Sequence, residues 1–229
     1  MRIVFFTGAG ISAESGLRTF RDADGLWEEH RVEDVATPEA FARDPRTVLR
    51  FYDQRREQVL KAEPNAAHRA IAGLEAHARV EVVTQNIDDL HERAGSSRVL
   101  HLHGEILKAR STLDPGLVVP VQGGRLQWGD LCPLGSQLRP HVVWFGEEVP
   151  LMAQAGALVR QADVLVVVGS SLNVWPAAGL VHATRPGVPV HLVDPGTLDP
   201  GLRGHVRHWK QKASMGVPML AEWLLSGEA

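Results

Sequence analysis

Short runs of hydrophobic residues alternate along this chain with segments whose apolar residues recur at helical spacing. Buried strands are predicted by the runs RIVFF, VEVVT, VLHLHG, VLVVV and VPVHLV, and a further strand is predicted by HVVWFGE. Helices are predicted over 65–78, with Asn65 as the N-cap, and over 214–226. Because strands separated by helices are typical of βαβ units, the pattern predicts an α/β fold with a mainly parallel sheet.

Two segments depart from this alternation, residues 111–138 and, less regularly, about 18–60. The first, residues 111–138, is rich in Gly, Pro and Leu and shows no helical period; within it, VVPVQGGRLQW predicts a β-hairpin around Gly123 and Gly124. We therefore predict one domain over 1–229 with a large part and two insertions that form a small domain. The large part is expected over approximately 1–17, 61–110 and 139–229, and the insertions over approximately 18–60 and 111–138.

Composition narrows the class of protein. The chain has 229 residues, a formal net charge of −3 and a single cysteine, Cys132. No basic stretch indicates nucleic acid or an anionic membrane, and no apolar run reaches the roughly 18 residues of a membrane span. One cysteine excludes an internal disulfide and favours a reducing compartment. We expect a soluble cytoplasmic monomer that binds neither nucleic acid nor membranes.

Polar residues follow three of the predicted strands, in the segments 7–10, 85–88 and 169–171. In open α/β sheets, ligands bind outside the carboxyl ends of the strands. Gly8 and Gly10 would let backbone amide groups approach a phosphate, although a G-x-G pair is equally consistent with a plain strand-to-helix turn. An ordinary dinucleotide fingerprint requires a third glycine where Ala13 stands, so a Rossmann dehydrogenase fits poorly.

Other reaction classes are tested by their motifs. His91 and Glu92 begin a zincin-like sequence that lacks the second histidine, and the chain contains no G-x-S-x-G nucleophile elbow. His101 and His103 would share one strand face as a metal pair, or would simply be packed histidines. His103 stands at a strand end before Gly104, where an imidazole can act as a general base near neutral pH.

Five segments, taken together and in order, resemble the sirtuins, the NAD-dependent protein-lysine deacylases. They are GAGISAESGLRTFR, TQNIDDLH, HLHGE, LRPHVVWFGE and GSSLNVWPAAG. The resemblance covers most of the chain. It implies a Rossmann-like large domain built on a parallel sheet and a small domain that usually binds zinc.

The resemblance also implies roles for individual residues. Those expected to bind the dinucleotide are Gly8, Ala9, Gly10, Ile11, Ser12, Ser15, Phe20, Arg21, Trp27, Gln85, Asn86, Ile87, Asp88, Gly169, Ser170, Ser171, Asp194 and Ala213. Asp194 is equally well explained as a turn-forming residue before Pro195. Val143 and Phe145 would form the tunnel for the acyl-lysine, and their edge strand would pair with the substrate peptide.

The catalytic residues implied by the resemblance are His103, Asn86 and Asp88. The acyl oxygen would attack the ribose carbon that bears nicotinamide, an alkylimidate would form, and His103 would take a proton from a ribose hydroxyl. The products would be nicotinamide, free lysine and O-acyl-ADP-ribose, so NAD is a consumed co-substrate. The alternatives are a regulator that binds NAD or ADP-ribose without turnover, a plain deacetylase, and ADP-ribosyl transfer to protein.

The segment FYDQRREQ places Tyr52 and Arg55 three residues apart, on one face of a predicted helix. One sirtuin branch carries a Tyr-x-x-Arg pair in this region and prefers acyl groups that end in a carboxylate, such as succinyl and malonyl. A phenol and a guanidinium on one face can bind a carboxylate together. The alternative is a packed tyrosine beside a solvated arginine, and Arg56 is expected to point elsewhere.

The chain departs from the family pattern at the zinc ligands. Ser111 stands where a cysteine of the first C-x2-C pair is expected, and Gly135 replaces the partner of Cys132. One thiolate cannot build a tetrahedral site, so we predict that zinc is absent. Apolar packing of the predicted hairpin is expected to replace the metal, through Val118, Val119, Val121, Leu126 and Trp128.

Overall fold

The computed structural model describes residues 1–17, 26–27, 30–170, 172, 175–197 and 206–227. Its strands are β1 (Arg2–Thr7), β2 (Leu26–Trp27), β3 (His30–Arg31), β4 (Arg79–Thr84), β5 (Val99–His101), β6 (Gly104–Ser111), β7 (Val118–Pro120), β8 (Leu138–Val142), β9 (Val164–Val168), β10 (Val190–Val193) and β11 (Val206–Trp209). Its α-helices are α1 (Gly10–Ala13), α2 (Val32–Val35), α3 (Pro38–Arg43), α4 (Pro45–Lys61), α5 (Ala66–Gly73), α6 (Leu90–Arg93), α7 (Met152–Arg160) and α8 (Ala213–Leu225). Short 3-10 helices cover Leu74–Ala76, Gln122–Gly124 and Ala177–Ala183.

A parallel sheet of six strands forms the centre of the fold, in the order β11-β10-β9-β1-β4-β5. Its middle strands are buried on both faces, which explains why their sequences are continuous apolar runs. Helices α5 and α8 cover one face, and α7 covers the other. The predicted α/β fold with a parallel sheet is confirmed. Over the residues that the structure describes, no helix is long and apolar enough to span a membrane.

Helix α4 is the longest described helix and packs against a second, smaller sheet. The helix begins after Asp44, whose carboxylate accepts a hydrogen bond from the Thr47 amide. Pro45 occupies its first turn. The buried face of α4 packs against β6 and β8. The contact forms a hydrophobic cluster, apart from those of the central sheet, that includes Ile106 and Val142. This packing fixes the face of α4 that carries Tyr52.

The small sheet is antiparallel and has the order β7-β6-β8. The predicted hairpin over 118–128 is wrong, because β7 pairs with β6 and the chain then turns through a 3-10 helix at Gln122–Gly124. Gly123 and Gly124 adopt positive φ in this turn instead of linking two strands. Strand β8, from the segment LRPHVVWFGE, is an edge strand of this small sheet and does not enter the central one.

Candidate active site at the carboxyl ends of the central strands

The loop that follows β1 packs directly against the loop that follows β9. The amide of Gly8 donates to the Val168 carbonyl at 3.0 Å, and the amide of Gly10 donates to the Gly169 carbonyl at 2.9 Å. A Cβ on Gly8 would lie 2.8 Å from the Gly169 oxygen, and one on Gly10 would lie 2.7 Å from the Gly169 Cα. Both amides are therefore engaged by backbone carbonyls, and the two glycines allow the loops to touch. The expectation that this loop approaches a phosphate stays a prediction.

Three polar side chains behind this loop form a buried chain of hydrogen bonds. The amide nitrogen of Asn86 donates to the Ser12 hydroxyl at 3.1 Å and to the Gly8 carbonyl at 3.2 Å. The Ser12 hydroxyl donates to Asp88 Oδ2 at 3.0 Å. Burial raises the pKa of Asp88, although hydrogen bonds from the Leu90 amide and from Ser12 act in the opposite direction. The structure thus joins the ends of β1 and β4 through residues predicted to bind the dinucleotide.

His103 lies in the turn between β5 and β6, half-buried, with its Nδ1 3.0 Å from the carbonyl oxygen of Gln85. A carbonyl only accepts hydrogen bonds, so Nδ1 carries the proton in this contact and Nε2 of the neutral ring is left as the base. Burial lowers the pKa of His103, against the opposing effect of the Gln85 carbonyl. The ring is therefore neutral at pH 7 and able to accept a proton.

His101 does not share a metal pair with His103. Both of its ring nitrogens are engaged, Nδ1 with the Asn86 carbonyl at 3.0 Å and Nε2 with Glu92 at 2.7 Å. Burial disfavours the charged ring, but the hydrogen bond with Glu92 outweighs it and the pKa of His101 is raised. His101 is a packed histidine that holds the backbone of Asn86.

Other predicted dinucleotide residues surround the same sheet edge. The side-chain amide of Gln85 donates a hydrogen bond to the Ser170 hydroxyl at 2.9 Å, and this bond joins the ends of β4 and β9. The Asn65 side chain, which caps α5 as predicted, donates to the Ile11 carbonyl at 2.7 Å and to the Ser15 hydroxyl at 3.0 Å. Ala9 is exposed on the loop.

Five more residues belong to the predicted dinucleotide-binding set. Ile87 is half-buried, and its carbonyl accepts the amide of Ile106 at 2.8 Å. Trp27 lies in β2, paired with His30. Phe20, Arg21 and Ser171 lie outside the described residues.

Asp194 and Ala213 follow the last two strands of the chain. Asp194 comes directly after β10, and Ala213 begins α8 shortly after β11. The Asp194 carboxylate accepts the amide of Gly196 at 2.8 Å, which is the turn-forming role left open by the sequence. Its backbone amide donates to the Trp209 carbonyl at 3.3 Å, across to β11. Ala213 is buried at the start of α8.

Tyr52 and Arg55 both lie on the buried face of α4, with exposed fractions of 0% and 7%. The Tyr52 hydroxyl accepts a hydrogen bond from the indole nitrogen of Trp144 at 3.0 Å. Burial raises the pKa of Tyr52, so the phenol stays protonated. Arg56 points elsewhere, as expected, but it is not a surface residue: it is fully buried, binds the Ile106 carbonyl at 2.7 Å and pairs with Asp53.

The segment after β8 lies beside His103. The Val143 amide donates to the His103 carbonyl at 2.9 Å, and the Phe145 amide donates to the Ala36 carbonyl at 3.0 Å. The Phe145 side chain is 47% exposed and Val143 is half-buried. Trp144 stands between them and turns inward to Tyr52, so the predicted tunnel residues and the Tyr52 face of α4 adjoin one another.

Three residues of this region escaped the sequence prediction, although the segment LRPHVVWFGE contains all of them. The Arg139 guanidinium stacks on the Trp144 ring, 3.3 Å from its centroid, and forms two hydrogen bonds with Glu147 at 2.6 and 3.1 Å. Glu147 also accepts the Trp144 amide at 2.7 Å. Only the contacts across the fold reveal their connection to Tyr52.

At and beside the positions where sirtuins usually carry zinc-binding cysteines, small side chains form hydrogen bonds with one another. The hydroxyls of Ser111 and Ser136 lie 2.8 Å apart, and the Cys132 sulfur lies 3.4 and 3.2 Å from them. The hydrogen bonds that Cys132 shares with Ser111 and, to a smaller extent, with Ser136 lower the pKa of its thiol to about 7. Gly135 offers no ligand atom, so this set does not fit a tetrahedral zinc site. Among the described residues, no group of three or more His, Cys, Asp or Glu side chains is placed to hold a metal.

Apolar packing near these positions is only partly as expected. Leu126 is buried, and Val119 and Val121 pack against it beside Leu49 and Ala109. Val118 and Trp128 are 37% and 49% exposed, so the expectation that they contribute to this packing is wrong.

Comparison with known proteins places this geometry in a family. The model of the Sir2 family matches residues 8–176. A Helicobacter pylori protein named NAD-dependent protein deacylase is 53% identical over 193 residues, which is 84% of each chain. A Sir2 homologue–NAD complex superimposes with a TM-score of 0.87 at 39% identity, covering 100% of this chain and 91% of that chain. A Sir2 homologue mutant bound to 2'-O-acetyl ADP ribose gives a TM-score of 0.87 at 40% identity, with coverage of 98% and 92%. The chain belongs to the Sir2 family, the sirtuins.

Proposed function

We propose that this protein is an NAD-dependent protein-lysine deacylase that prefers acyl groups ending in a carboxylate, such as succinyl and malonyl. The observation that carries the preference is the burial of Tyr52 and Arg55 on one face of α4, together with the hydrogen bond that joins Tyr52 to Trp144 in the segment beside His103. A phenol hydroxyl and a guanidinium at the end of an acyl-lysine tunnel would bind a carboxylate by charge-assisted hydrogen bonds.

The residues at the sheet edge suit NAD as co-substrate. The loop over residues 8–15, together with Gln85 and Ser170, would hold the dinucleotide, and Asn86 and Asp88 would face its nicotinamide end. What bound NAD supplies is an electrophilic ribose carbon and a leaving group, nicotinamide. No step requires a metal, and the small domain is proposed to be free of zinc.

His103 is proposed as the general base. Its Nε2 accepts a proton from a ribose hydroxyl, while the hydrogen bond from Nδ1 to the Gln85 carbonyl keeps the ring in the required tautomer. Asn86 and Asp88 both form hydrogen bonds with Ser12 and thereby hold the segment after β1 in a fixed position. The edge strand β8 is suited to pair with an extended substrate peptide.

The size of the preference follows from the charge of the acyl group. A hydrogen bond to a charged group contributes about 1.5–3 kcal/mol, which is roughly a 10- to 100-fold preference in kcat/KM. An acetyl group offers no charge to Arg55 and would gain none of this. The preference should therefore disappear when the guanidinium is removed but the stem of the side chain is kept.

The test compares removal of succinyl and acetyl groups from one lysine peptide, followed by mass, in wild type and Arg55→Met. We expect wild type to prefer succinyl and Arg55→Met to lose the preference. Arg50→Met is the matched control, since Arg50 is exposed on the same helix and, among the described residues, donates only to Thr47. If wild type removes acetyl as fast as succinyl, the preference is refuted and the plain deacetylase remains. If no nicotinamide is released at all, the protein is a binding regulator.

A further inference from the structure

His101 and His103 contact neighbouring peptide groups in the same way but differ at their other ring nitrogen. Nδ1 of His101 lies 3.0 Å from the Asn86 carbonyl oxygen, and Nδ1 of His103 lies 3.0 Å from that of Gln85. Nε2 of His101 lies 2.7 Å from Glu92 Oε1. Among the described residues, no carboxylate pairs with the His103 ring. The two rings therefore hold different numbers of protons.

The charge of the His101 ring follows from its two partners. A carbonyl oxygen and an ionised carboxylate only accept hydrogen bonds, so both ring nitrogens donate and the ring is an imidazolium. Burial disfavours the charged ring, but the hydrogen bond and the charge of Glu92 outweigh it, and the pKa of His101 is raised. Burial acts on Glu92 as well, yet the hydrogen bond with His101 leaves the pKa of Glu92 below its usual range. The geometry and the direction of both pKa shifts thus agree that the proton lies on the ring.

Several elements contribute charged or titratable groups around this pair. Those that act on His101 are Glu92 and His91 from α6, Asp88 from the segment after β4, and Glu105 from β6, while Lys108 of β6 acts on Glu92. Burial keeps His91 neutral, because it holds the pKa of that ring well below the usual range. Of the groups named here, Glu92 is the one that forms a hydrogen bond with His101. The charge of the ring therefore depends chiefly on Glu92.

The charged ring acts on two residues that are proposed to face the nicotinamide end of NAD. It donates a hydrogen bond to the backbone carbonyl of Asn86. Burial raises the pKa of Asp88, and the charge of His101 is one of the effects that oppose this rise. Asp88 Oδ1 also accepts the amide of Leu90 at 3.2 Å, at the start of the helix that carries Glu92. The carboxylate that charges His101 and the carboxylate that responds to this charge thus belong to one connected segment.

We propose that Glu92 positions the active site through His101, by keeping that ring doubly protonated at the nicotinamide end of the site. The imidazolium holds the peptide group of Asn86 and favours the ionised form of Asp88. Neither Glu92 nor His101 needs to touch NAD or the acyl-lysine, so both are positioning residues and not catalytic ones. The inference rests on the proposed function, in which Asn86 and Asp88 face the nicotinamide end of bound NAD.

The consequence is a rate that depends on two nearby histidines in opposite states. His103 acts as a base only while it is neutral, whereas His101 positions Asn86 fully only while it is charged. Since the pKa of His101 is raised, kcat/KM should fall as pH increases through a midpoint above about 6.5. The pH profile is therefore expected to have an alkaline limb that belongs to His101.

The experiment measures kcat/KM for NAD against pH, by nicotinamide release, with whichever of the acetyl and succinyl peptides wild type turns over faster. Glu92→Gln keeps the size of the side chain but removes its charge, so burial of His101 is no longer opposed and the alkaline limb should move to lower pH. At about pH 7.5 the variant should be roughly 5-fold slower than wild type, which is the difference between a charged and a neutral hydrogen bond. This deficit should shrink toward about pH 6. Glu63→Gln is the matched control, because Glu63 is an exposed carboxylate that pairs with Arg93 of the same helix at 3.1 Å.

The outcomes separate this inference from the proposed function. If wild type releases no nicotinamide with either peptide, the proposed function fails and the inference fails with it. If wild type is active but Glu92→Gln keeps the wild-type pH profile, only the inference is overturned. A loss by the same factor at every pH would mean a merely structural role for Glu92 and would also overturn it.

A spectroscopic measurement on wild type covers the case in which Glu92→Gln does not fold. In a nitrogen NMR spectrum of the histidine rings at about pH 6.5, His101 is expected to carry a proton on both ring nitrogens, and His103 on Nδ1 alone. The variants His101→Gln and His103→Asn assign the two sets of signals. A His101 ring with one unprotonated nitrogen at this pH contradicts the inference.

Discussion

The Nδ1 atom of His103 lies 3.0 Å from the carbonyl oxygen of Gln85, and this contact fixes which nitrogen of the ring is available as a base. Since burial lowers the pKa of His103, the neutral ring persists to a lower pH than in a free histidine. The acidic limb of kcat/KM against pH is therefore expected to have its midpoint below about 6.5. An initial-rate series at saturating NAD measures it, and a midpoint at or above this value would exclude His103 as the base.

Substitution of His103 gives a second prediction. His103→Asn removes the base but retains a side chain that can bind the Gln85 carbonyl. Deacylation should fall roughly 10²- to 10⁴-fold, whereas NAD binding measured by calorimetry should change little. The control is His77→Asn, because His77 is exposed after the 3-10 helix Leu74–Ala76. Full activity in His103→Asn would contradict the assignment of His103 as the general base.

The contact between the β1 and β9 loops predicts a large loss of stability for one glycine. Gly169 has φ +59°, and a Cβ there would lie 2.4 Å from the Ile11 amide nitrogen. Gly169→Ala therefore combines backbone strain of about 1–2 kcal/mol with a clash against backbone. Gly187→Ala is the matched control: its φ is +83° and nothing lies within 4 Å of its Cβ position.

Denaturant unfolding of the two alanine variants separates strain from clash. Gly187→Ala should lose only the strain, about 1–2 kcal/mol, and Gly169→Ala should lose clearly more or fail to fold. Equal losses would show that the two loops can move apart at little cost.

Two buried histidines predict that the protein loses stability in mild acid. The rings of His68 and His91 pack edge to face, with centroids 4.9 Å apart. Each ring has one buried nitrogen that finds no hydrogen-bond partner among the described residues. Burial, with a contribution from Arg69, lowers the pKa of His68 to about 4, and burial lowers that of His91 well below its usual range.

The sign of the effect follows from proton linkage. Between the folded pKa and about 6.5, the unfolded chain binds more protons, so the free energy of unfolding falls as pH decreases through this window. For His68 the full effect is on the order of 3 kcal/mol. His101 acts in the opposite direction, because its pKa is raised. Urea unfolding at pH 7 and pH 5 tests the net result, and His68→Gln should reduce the difference; equal stability at both pH values would contradict it.

The small domain gives a prediction about metal content. A site with one thiol, Cys132, and two hydroxyls is not suited to bind zinc tightly. Purified protein should contain far less than one zinc per chain by elemental analysis, and a chelator should leave its melting temperature and activity unchanged. One tightly bound zinc per chain, lost on chelation together with activity, would refute the zinc-free small domain.

The sequence predicted the central sheet because its strands are buried on both faces and read as continuous apolar runs. Strand β6 was missed, since Gly104–Ser111 alternates buried and half-exposed residues and carries charges on its outer side. Strand β11 was missed for a similar reason: VRHW is mostly half-buried at the edge of the sheet. The hairpin failed because Gly123-Gly124 is a turn signal without information about which strand the flanking residues will pair with.

The candidate site was predictable where it is local in sequence. The placement of His103, Asn86 and Asp88 at strand ends follows from the pattern of the chain. The link between Tyr52 and Trp144 does not, since 92 residues separate them and only the packing of α4 against the small sheet brings them together. The contact of Gly8 and Gly10 with Gly169 is likewise a property of the sheet order, which places β1 beside β9.

The close seating of the loops after β1 and β9 limits how this site can be redesigned. No side chain can be added at Gly8, Gly10 or Gly169, and a longer loop at either strand would push the other out of register. An attempt to make the enzyme accept a modified dinucleotide must therefore vary positions that face outward from the pair, of which Ala9 is one. The two loops change as a unit, so libraries that diversify one of them alone will mostly yield misfolded protein.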